Sequence, residues 1–476
     1  MCMESLRAAE TRPVRVCPDD PMHAPPSAHG GQAVRARAHH HGGLVWLALF
    51  VVVALMIVQL PPILARQDSV VHTYSALVEV DALAKQKFVE PLESNRLVDG
   101  AIRGMLLQLD PYSGYISPDE LPSFERRQHG EFNGVGLELG IDAGRLTIIG
   151  PIEGSPAASG GIMPGDWLLA VNGVEIKDRS VFDVEEMLTG RPGTVVELLV
   201  QRGLSSIPAS FRLVRGPVTV RSVRGFRHSG PDSWDFLLDP GTRIGYVRVS
   251  TFHDRTIEEF DAALRELHRL AVRGLILDLR FNPGGLMEQA VEMVDRFLNT
   301  GVILSTVTRR KAVNEYRAKP QTTSWDQPVV VLINGGSASS AEIVAGSLQS
   351  RRRAIVVGER SFGKGSVQHL IPLSGNRSAI KLTVAYYRLP DGRIIHRDAA
   401  NFDDGSWGIR PDVEIPLSRQ QAVEIQESRR RLDYAAPSSR PSSSVAHDGE
   451  ALIVDEQLKA AIDQVRRELG AQLDVR

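Results

Sequence analysis

The spacing of apolar and polar residues changes in character several times along the chain. Residues 44–64 form a predominantly apolar run with no charged side chain over 21 positions, about the length that crosses a bilayer as a helix. Residues 69–109 instead place apolar side chains at three- and four-residue intervals, the period of an amphipathic helix. The segment DPYSGY at 110–115 breaks that period and predicts a turn.

Farther along the chain, short apolar runs predict strands. Residues 131–203 hold several such runs, separated by Gly, Asn and Asp turns, with one helical stretch among them. From residue 244 onwards, apolar strands alternate with amphipathic helices, an order typical of βαβ units and a largely parallel, buried sheet. Residues 379–389 add a further strand, and residues 391–397 are a candidate to pair with it as a hairpin.

These patterns predict a multidomain protein of mixed α/β and β class. Its α/β core has a largely parallel sheet, and a small β barrel-like sandwich with helices is inserted ahead of the core. In chain order, we expect a disordered tail at 1–43, a transmembrane helix or signal anchor at 44–64, a helical region at 67–128, the small β domain at 129–204, the α/β core at 205–417, and a linker with a terminal helix at 418–476.

Charge and cysteine content exclude several classes of function. The formal net charge of −2 leaves no basic excess that would favour nucleic acid. Cys2 and Cys17 both lie near the N-terminus, so the main body can hold neither a disulfide nor a cysteine-ligated metal. We therefore expect no metal, no other cofactor and no nucleic acid partner.

The apolar run at 44–64 allows two interpretations. Arg35 and Arg37 precede it and Arg66 follows it, so the positive-inside rule favours a cytoplasmic N-terminus. The rival interpretation is a cleaved signal peptide, although the preceding 43 residues are long for its charged region and no clean cleavage site follows. We expect a single-pass inner-membrane anchor with the main body of the protein in the periplasm, and both interpretations place that body outside the cytoplasm.

Three glycine-rich segments follow predicted strands of the core: residues 278–285, 333–342 and 358–368. In open α/β sheets, active sites lie just beyond the carboxyl ends of the strands. Ser339 begins a predicted helix, where it is either an N-cap paired with Glu342 in a capping box or a nucleophile. If it is a nucleophile, the N–H of Ser340 at the helix start and that of Gly284 or Gly285 would stabilise an oxyanion.

A serine nucleophile needs a base, and Lys364 is the favoured candidate. Strand periodicity predicts that Lys364, Ser366 and Gln368 share one face, so that Gln368 could position the amine by a hydrogen bond. Burial beside apolar walls would lower the pKa of the lysine and let it accept the serine proton near neutral pH. Three histidines remain alternatives: His253, His369 and His396.

Together, these segments resemble the carboxyl-terminal processing proteases, serine peptidases with a Ser-Lys dyad. The motifs are NGGSASSAE at 334–342, SFGKGSVQ at 361–368, GLILDLRFNPGGL at 274–286 and WGIRPDVEIP at 407–416, and twenty-five residues separate Ser339 from Lys364, the usual gap in the family. The sequence departs from the family pattern at Tyr112, where histidine is more common, at Ser340-Ala341, which inverts the usual order, at Ser350, where an acid is usual, and at Ser361, which replaces threonine.

The same resemblance identifies the small β domain as a PDZ domain. FNGVGLEL at 132–139 is similar to its carboxylate-binding loop, which implies peptide-binding roles for Gly134, Val135, Gly136 and Leu137. Such domains bind a C-terminal peptide as an added strand, with loop N–H groups holding the terminal carboxylate.

The resemblance implies an extracytoplasmic serine endopeptidase that recognises substrate C-termini through its PDZ domain and cleaves them with Ser339, Lys364 and Gln368. The alternative is a catalytically silent, membrane-anchored PDZ scaffold, and a Ser-Lys amidase or esterase acting on small molecules is disfavoured by the peptide-binding domain. The expected partners are polypeptides with free C-termini and the membrane. A homo-oligomer and an adaptor or activator protein are left open.

Overall fold

The computed structural model describes residues 46–52, 74–92, 96–433 and 455–474, apart from short gaps at 143, 178, 204–205, 231–232, 312, 321–324, 375–376, 399–400 and 403–404. The chain divides into two compact units, Met1–Leu92 and Glu93–Arg476. In the first unit, residues 46–52 and 74–87 are helical. The predicted tail at 1–43, most of the predicted membrane helix and the linker at 434–454 lie outside the described residues. In the part that is described, no helix is both long and apolar enough to cross a bilayer.

The second unit holds all the elements used below, numbered in chain order. Its helices are α1 Arg96–Leu107, α2 Leu121–His129, α3 Pro156–Ser159, α4 Val181–Leu188, α5 Thr256–Arg269, α6 Met287–Asp295, α7 Ser340–Ser350, α8 Arg419–Asp433 and α9 Glu456–Asp474. Its strands are β1 Gly114–Ile116, β2 Glu131–Gly134, β3 Leu137–Asp142, β4 Arg145–Pro151, β5 Trp167–Val171, β6 Val174–Glu175, β7 Val195–Gln201, β8 Ala209–Val214, β9 Gly216–Thr219, β10 Val223–Arg224, β11 Arg227–Gly230, β12 Ser233–Asp235, β13 Leu237–Asp239, β14 Ile244–Val249, β15 Gly274–Asp278, β16 Val302–Thr308, β17 Val313–Arg317, β18 Val329–Ile333, β19 Ile355–Gly358, β20 Ser366–Pro372, β21 Ala379–Arg388 and β22 Val413–Glu414.

The predicted parallel sheet forms the centre of the core. Its strand order is β10-β14-β15-β18-β19-β22, with β13 also paired to β14, and the run from β14 to β22 is parallel. Strands β14, β15 and β18 are buried at every position, which explains why their sequences are continuous apolar runs rather than alternating ones. The carboxyl ends of β15, β18 and β19 therefore meet at one edge, where the three glycine-rich segments begin.

Helices cover both faces of this sheet. On one face, α5, α6 and α7 pack over alternate strand residues such as Leu277 and Val331. On the other face, α9 buries Ala461 and Val465 against Ile276 and its neighbours. The prediction that 418–476 lies outside the core is therefore wrong for the terminal helix. Burial of the Val465 side chain contributes about 1.5–3 kcal/mol of transfer free energy.

A second sheet in the core is antiparallel, which the prediction of one largely parallel sheet missed. Its order is β1-β21-β16-β17, with β20 also paired to β21. Strand β1 comes from the region predicted to be helical, and it begins with the last two residues of the DPYSGY segment. The hairpin proposed for 391–397 does not form, because the Arg397 N–H donates to the Gly363 carbonyl and the Ile395 carbonyl accepts from Gly408. That segment lies against the lysine loop instead.

The small β domain has a sheet of its own, ordered β3-β4-β5-β7-β8 with β6 paired to β5, and a separate apolar core that includes Ile148, Val184 and Leu198. Helix α4 lies against β3, the edge strand that follows the glycine-rich loop. The domain extends beyond its predicted end at 204, because β8 pairs with β7 along its whole length. A mixed α/β multidomain architecture is thus confirmed.

Candidate active site

Ser339 lies between the end of β18 and the first turn of α7, with a left-handed backbone φ of 53° and ψ of −115°. A non-glycine residue in such a conformation costs on the order of 1–3 kcal/mol and persists only where its surroundings hold it. Gly284 is one of these surroundings, since a Cβ on it would come within 2.7 Å of the Ser339 Cβ. The turn presents Ser339 half-buried at the sheet edge, the position of a nucleophile at a strand-to-helix turn.

Glu342 joins the serine turn to the lysine loop. Its buried carboxylate accepts hydrogen bonds from the backbone N–H of Ser339 and of Lys364, both at 2.8 Å, from the N–H of Gly363 at 2.7 Å and from the Ser361 hydroxyl at 2.5 Å. Burial raises the pKa of Glu342, and these donors oppose that rise. Sequence reasoning saw Glu342 only as half of a capping box, because nothing local shows that it reaches Lys364.

Lys364 stands in the loop before β20, and its half-buried side chain enters the same cavity as Ser339. Its Nζ lies 5.1 Å from the centroid of the Tyr112 ring. Burial lowers the pKa of Lys364, and the Lys381 ammonium lowers it further, whereas the carboxylates of Glu342 and Asp110 oppose the change. The direction is the one that a general base requires.

Tyr387 fixes the backbone on both sides of the dyad. Its buried hydroxyl donates to the Lys364 carbonyl at 2.6 Å and approaches the Ser339 carbonyl at 3.3 Å. Because Tyr387 belongs to β21, the antiparallel sheet is what sets the distance between the serine turn and the lysine loop. Tyr387 lies outside both the serine motif at 334–342 and the lysine motif at 361–368.

Gln368 lines the cavity but does not make the predicted hydrogen bond to the lysine. Its amide Nε2 donates to the Ser366 hydroxyl at 2.9 Å and to the Thr383 hydroxyl at 3.2 Å. Lys364 precedes β20, and a bulge between Val367 and Gln368 interrupts the alternation on which the shared face was predicted. The predicted arrangement therefore gives way to a network that anchors Gln368 on β21.

The two candidate glycines of the oxyanion site differ. The Gly284 N–H donates to Asn282 Oδ1 at 2.8 Å, so an Asx turn already uses it. Among the described residues, no acceptor is bonded to the N–H of Gly285 or of Ser340. The Ser340 hydroxyl donates to the Gly285 carbonyl at 2.9 Å and holds the two segments together. Gly285 and Ser340 are thus the better-placed pair of donors.

The three alternative histidines occupy other surroundings. His253 is buried at the start of α5, with Nε2 2.8 Å from the Val220 carbonyl. His369 is exposed at the cavity rim. His396 packs against the rings of Tyr112 and Tyr386 at 5.8 and 4.8 Å, behind the lysine loop. None of them is hydrogen-bonded to Ser339 within the described chain.

The DPYSGY turn supports the lysine from the opposite side. Asp110 accepts from the N–H groups of Tyr112 and Ser113 at 2.7 and 2.8 Å, and from the Thr383 hydroxyl at 3.2 Å. This turn holds the Tyr112 ring over Lys364. Tyr112 is a site residue that sequence reasoning did not assign, although its departure from the family pattern was a signal.

The other departures leave the dyad intact. Ser361 fills its position by donating to Glu342 and accepting from the Ile409 N–H at 2.6 Å. Ser350 lies at the far end of α7, where its hydroxyl donates to Asp391 at 2.7 Å on the surface. Eleven residues of helix, about 16 Å, separate Ser350 from Ser339.

The cavity that contains Ser339 and Lys364 has a volume of about 570 Å³. Its lining is mixed, with apolar side chains such as Met287 and Ile343 beside charged ones such as Lys381. A cavity of this size admits a short stretch of polypeptide. The site provides a hydroxyl, an amine of lowered pKa and two open backbone donors.

A second cavity, of about 380 Å³, is lined by Gly136, Leu137 and Leu188 of the small β domain and also by residues outside it, such as Arg126 of α2 and His253. All four residues of the predicted carboxylate-binding loop are buried: Gly134, Val135, Gly136 and Leu137. Within the described part of the chain, the N–H of Gly136 has no protein acceptor, whereas the residues just before it are bridged to the end of α4 through Gly134 and Thr189. The loop thus keeps the Gly136 N–H available beside the edge of β3.

Comparisons with known proteins identify the family of the chain. Residues 243–415 match the model of peptidase family S41, residues 147–202 match a PDZ domain, and residues 64–119 match the N-terminal domain of the activating protease CtpB. A carboxy-terminal-processing protease of Bartonella bacilliformis is 34% identical over 84% of this chain and 90% of its own length. The carboxy-terminal processing protease CtpA of Bacillus subtilis is 34% identical over 70% of this chain and 67% of its own.

Among solved structures, a photosystem II D1 C-terminal processing protease is 28% identical, with 76% of this chain and 97% of that chain covered and a TM-score of 0.42. The chain carries a PDZ domain and a serine peptidase core, and the catalytic alternative is supported over the silent scaffold. The chain belongs to the carboxy-terminal processing proteases, serine-type peptidases of family S41.

Proposed function

We propose that Ser339 and Lys364 are the catalytic dyad of this peptidase. The observation that carries the proposal is that both side chains line one cavity while a single buried carboxylate, Glu342, binds the backbone N–H of each. An N-cap role alone would not require the lysine loop to be tied to the same carboxylate.

In the proposed reaction, neutral Lys364 takes the Ser339 proton as Oγ attacks the substrate carbonyl. The N–H groups of Gly285 and Ser340 stabilise the oxyanion of the tetrahedral intermediate. The Lys364 ammonium then protonates the leaving amine, and the C–N bond breaks to give an acyl-enzyme. Water attacks that ester with Lys364 again as base, which releases the acid and restores the serine.

We further propose that the PDZ domain binds the free C-terminus of the substrate. The open N–H of Gly136 suits a carboxylate, and the edge of β3 suits an added strand. For localisation, the charge-free run at 44–64 supports a membrane anchor, with the catalytic body on the periplasmic side. Homo-oligomers and an adaptor or activator protein remain compatible with this arrangement.

The Ser339→Ala variant tests the dyad. A lost helix cap costs about 0.5–2 kcal/mol of stability, whereas a lost nucleophile abolishes turnover in a folded protein. We expect the variant to melt near the wild-type temperature and to hydrolyse neither casein nor a tail peptide. Ser340→Ala, which removes only the hydroxyl bonded to Gly285, is the matched control and should retain measurable activity. Substantial hydrolysis by Ser339→Ala would refute the assignment.

A further inference from the structure

A buried charge cluster lies directly before the segment that carries the oxyanion glycines. Asp278 ends β15, and Arg280 follows two residues later, with side chains that are 0% and 2% exposed. Arg280 Nη2 donates to Asp278 Oδ2 at 2.7 Å, and the Tyr246 hydroxyl donates to the same oxygen at 2.8 Å. Two residues do not satisfy all the hydrogen-bonding groups of a buried ion pair, so further partners are required.

Those partners come from the C-terminal segment. Both carboxylate oxygens of Asp455 accept from Arg280, at 2.8 Å each, and Gln457 Oε1 accepts a further bond at 3.1 Å. Such a bidentate pair fixes the orientation of the Arg280 guanidinium as well as its distance from Asp455. From α8, Arg429 donates to the Asp278 carboxylate and, at 3.3 Å, to the backbone carbonyl of Arg280.

Arg429 and Asp455 lie outside residues 243–415, the stretch that matches the S41 model. The guanidinium of Arg429 also lies 5.4 Å from the centroid of the Phe281 ring. The C-terminal segment therefore contacts both the charge cluster and the first residue of the loop at 281–285.

The same loop is bonded to the serine turn. Phe281, in a left-handed conformation with φ of 62°, donates its N–H to Asn334 Oδ1 at 2.9 Å. The Asn282 carbonyl accepts from the Ala338 N–H at 2.9 Å, and the Asn282 side chain holds Gly284. A shift of Arg280 would consequently move the N–H of Gly285 relative to Ser339.

Stability alone does not account for the cluster. Replacing a buried ion pair by well-packed apolar residues is often neutral or stabilising, so charged groups are a costly way to hold a helix in place. Helix α9 already packs on the sheet through Ala461, Val465 and Leu469. What the charged network adds is directional hydrogen bonding to one loop.

We propose that Arg280, Arg429 and Asp455 are positioning residues, through which the C-terminal segment holds the loop 281–285 with the Gly285 N–H directed at the oxyanion formed on Ser339. This proposal rests on the proposed function. None of the three residues touches the substrate, and their effect passes through the backbone of the loop.

Steady-state kinetics of Asp455→Asn and Arg429→Lys in the full chain test the proposal. A misplacement of about 1 Å at a catalytic group can cost about a hundredfold in rate. We expect kcat to fall about tenfold to a hundredfold in Asp455→Asn with little change in KM, and to fall less in Arg429→Lys, which keeps the charge. Val465→Ala is the matched control. It weakens the packing of α9 on the sheet, so it should lower the melting temperature of the protein while kcat stays within about twofold of wild type.

Hydrogen exchange measured by mass spectrometry provides a readout that does not need activity. The amides of 281–286 should exchange faster in Asp455→Asn than in wild type, and at the wild-type rate in Val465→Ala. Folded Asp455→Asn or Arg429→Lys with unchanged kcat and unchanged exchange at 281–286 would overturn the proposal. If Asp455→Asn does not fold, Arg429→Lys decides. If the wild type itself hydrolyses no peptide, the proposed function fails, and the exchange rates still decide whether the C-terminal segment positions the loop.

Discussion

At the scale of single residues, the decisive feature is the lowered pKa of Lys364, which makes this lysine a candidate general base. Lys364 is half-buried beside the Tyr112 ring and shares its cavity with a second cation, Lys381. Desolvation and the like charge both favour the neutral amine. The carboxylates nearby are occupied by other donors, and among the described residues none forms an ion pair with Lys364.

This environment predicts the pH dependence of activity. The active form of Lys364 is the neutral amine, so activity should rise with pH as the ammonium deprotonates. Because the pKa of Lys364 is lowered, the midpoint of this rise in activity should lie at a pH below the ordinary lysine pKa of about 10.4. A pH profile of kcat/KM checks this, and a rate that falls as pH increases through that range would contradict it.

Lys364→Arg separates a base from a purely electrostatic role. Guanidinium does not deprotonate in proteins, so this variant keeps the charge but cannot accept a proton. We expect Lys364→Arg to lower kcat about 10²–10⁴-fold, as much as Lys364→Ala does. His369→Ala, at the exposed rim of the same cavity, is the control and should retain activity. Near-normal turnover in Lys364→Arg would replace the dyad with another base.

At the scale of elements, Glu342 makes the start of α7 and the lysine loop one unit. Glu342→Gln places an N–H₂ donor where the ionised side chain only accepts, so at least one of its four donors loses a partner. We expect a loss of about 1–3 kcal/mol of unfolding free energy together with reduced kcat. Denaturant unfolding and kinetics measure the two effects, with Ser350→Ala at the far end of α7 as control. An unchanged kcat would separate Glu342 from the alignment of the dyad.

The PDZ domain carries a prediction at the same scale. The loop from Gly134 to Leu137 should bind peptides that end in an apolar residue and a free carboxylate, because the open Gly136 N–H would donate to the negative charge. Amidation of the peptide terminus removes that charge and should weaken binding. The Ser339→Ala variant is used because it is expected not to cleave the bound peptide. Fluorescence anisotropy with paired free and amidated peptides checks this, and equal affinities would refute the carboxylate-loop assignment.

At the scale of the whole molecule, the C-terminal segment packs on the peptidase core, and the N-terminal segment carries the prediction of where the protein is located. The apolar run at 44–64 predicts a C-terminal body beyond the membrane. Alkaline phosphatase fused at the C-terminus should therefore be active, and a green fluorescent reporter fused there through the Sec route should be dark. The reverse pattern would contradict the predicted topology, and mature protein beginning near Arg66 would contradict the anchor alone.

The sequence by itself predicted the order of domains, most strands of the parallel sheet, and Ser339 and Lys364 as the candidate dyad. These follow from local periodicity and from short motifs at the strand ends, which depend on neighbouring residues only. Tertiary structure alone decided the rest. The bulge in β20 redirects Gln368, an Asx turn occupies the Gly284 N–H, and Tyr387 reaches the dyad from another sheet. Arg280 is satisfied by Asp455, 175 residues away in the chain, because hydrogen bonds between distant segments depend on how the sheets and helices pack, and no local pattern encodes that.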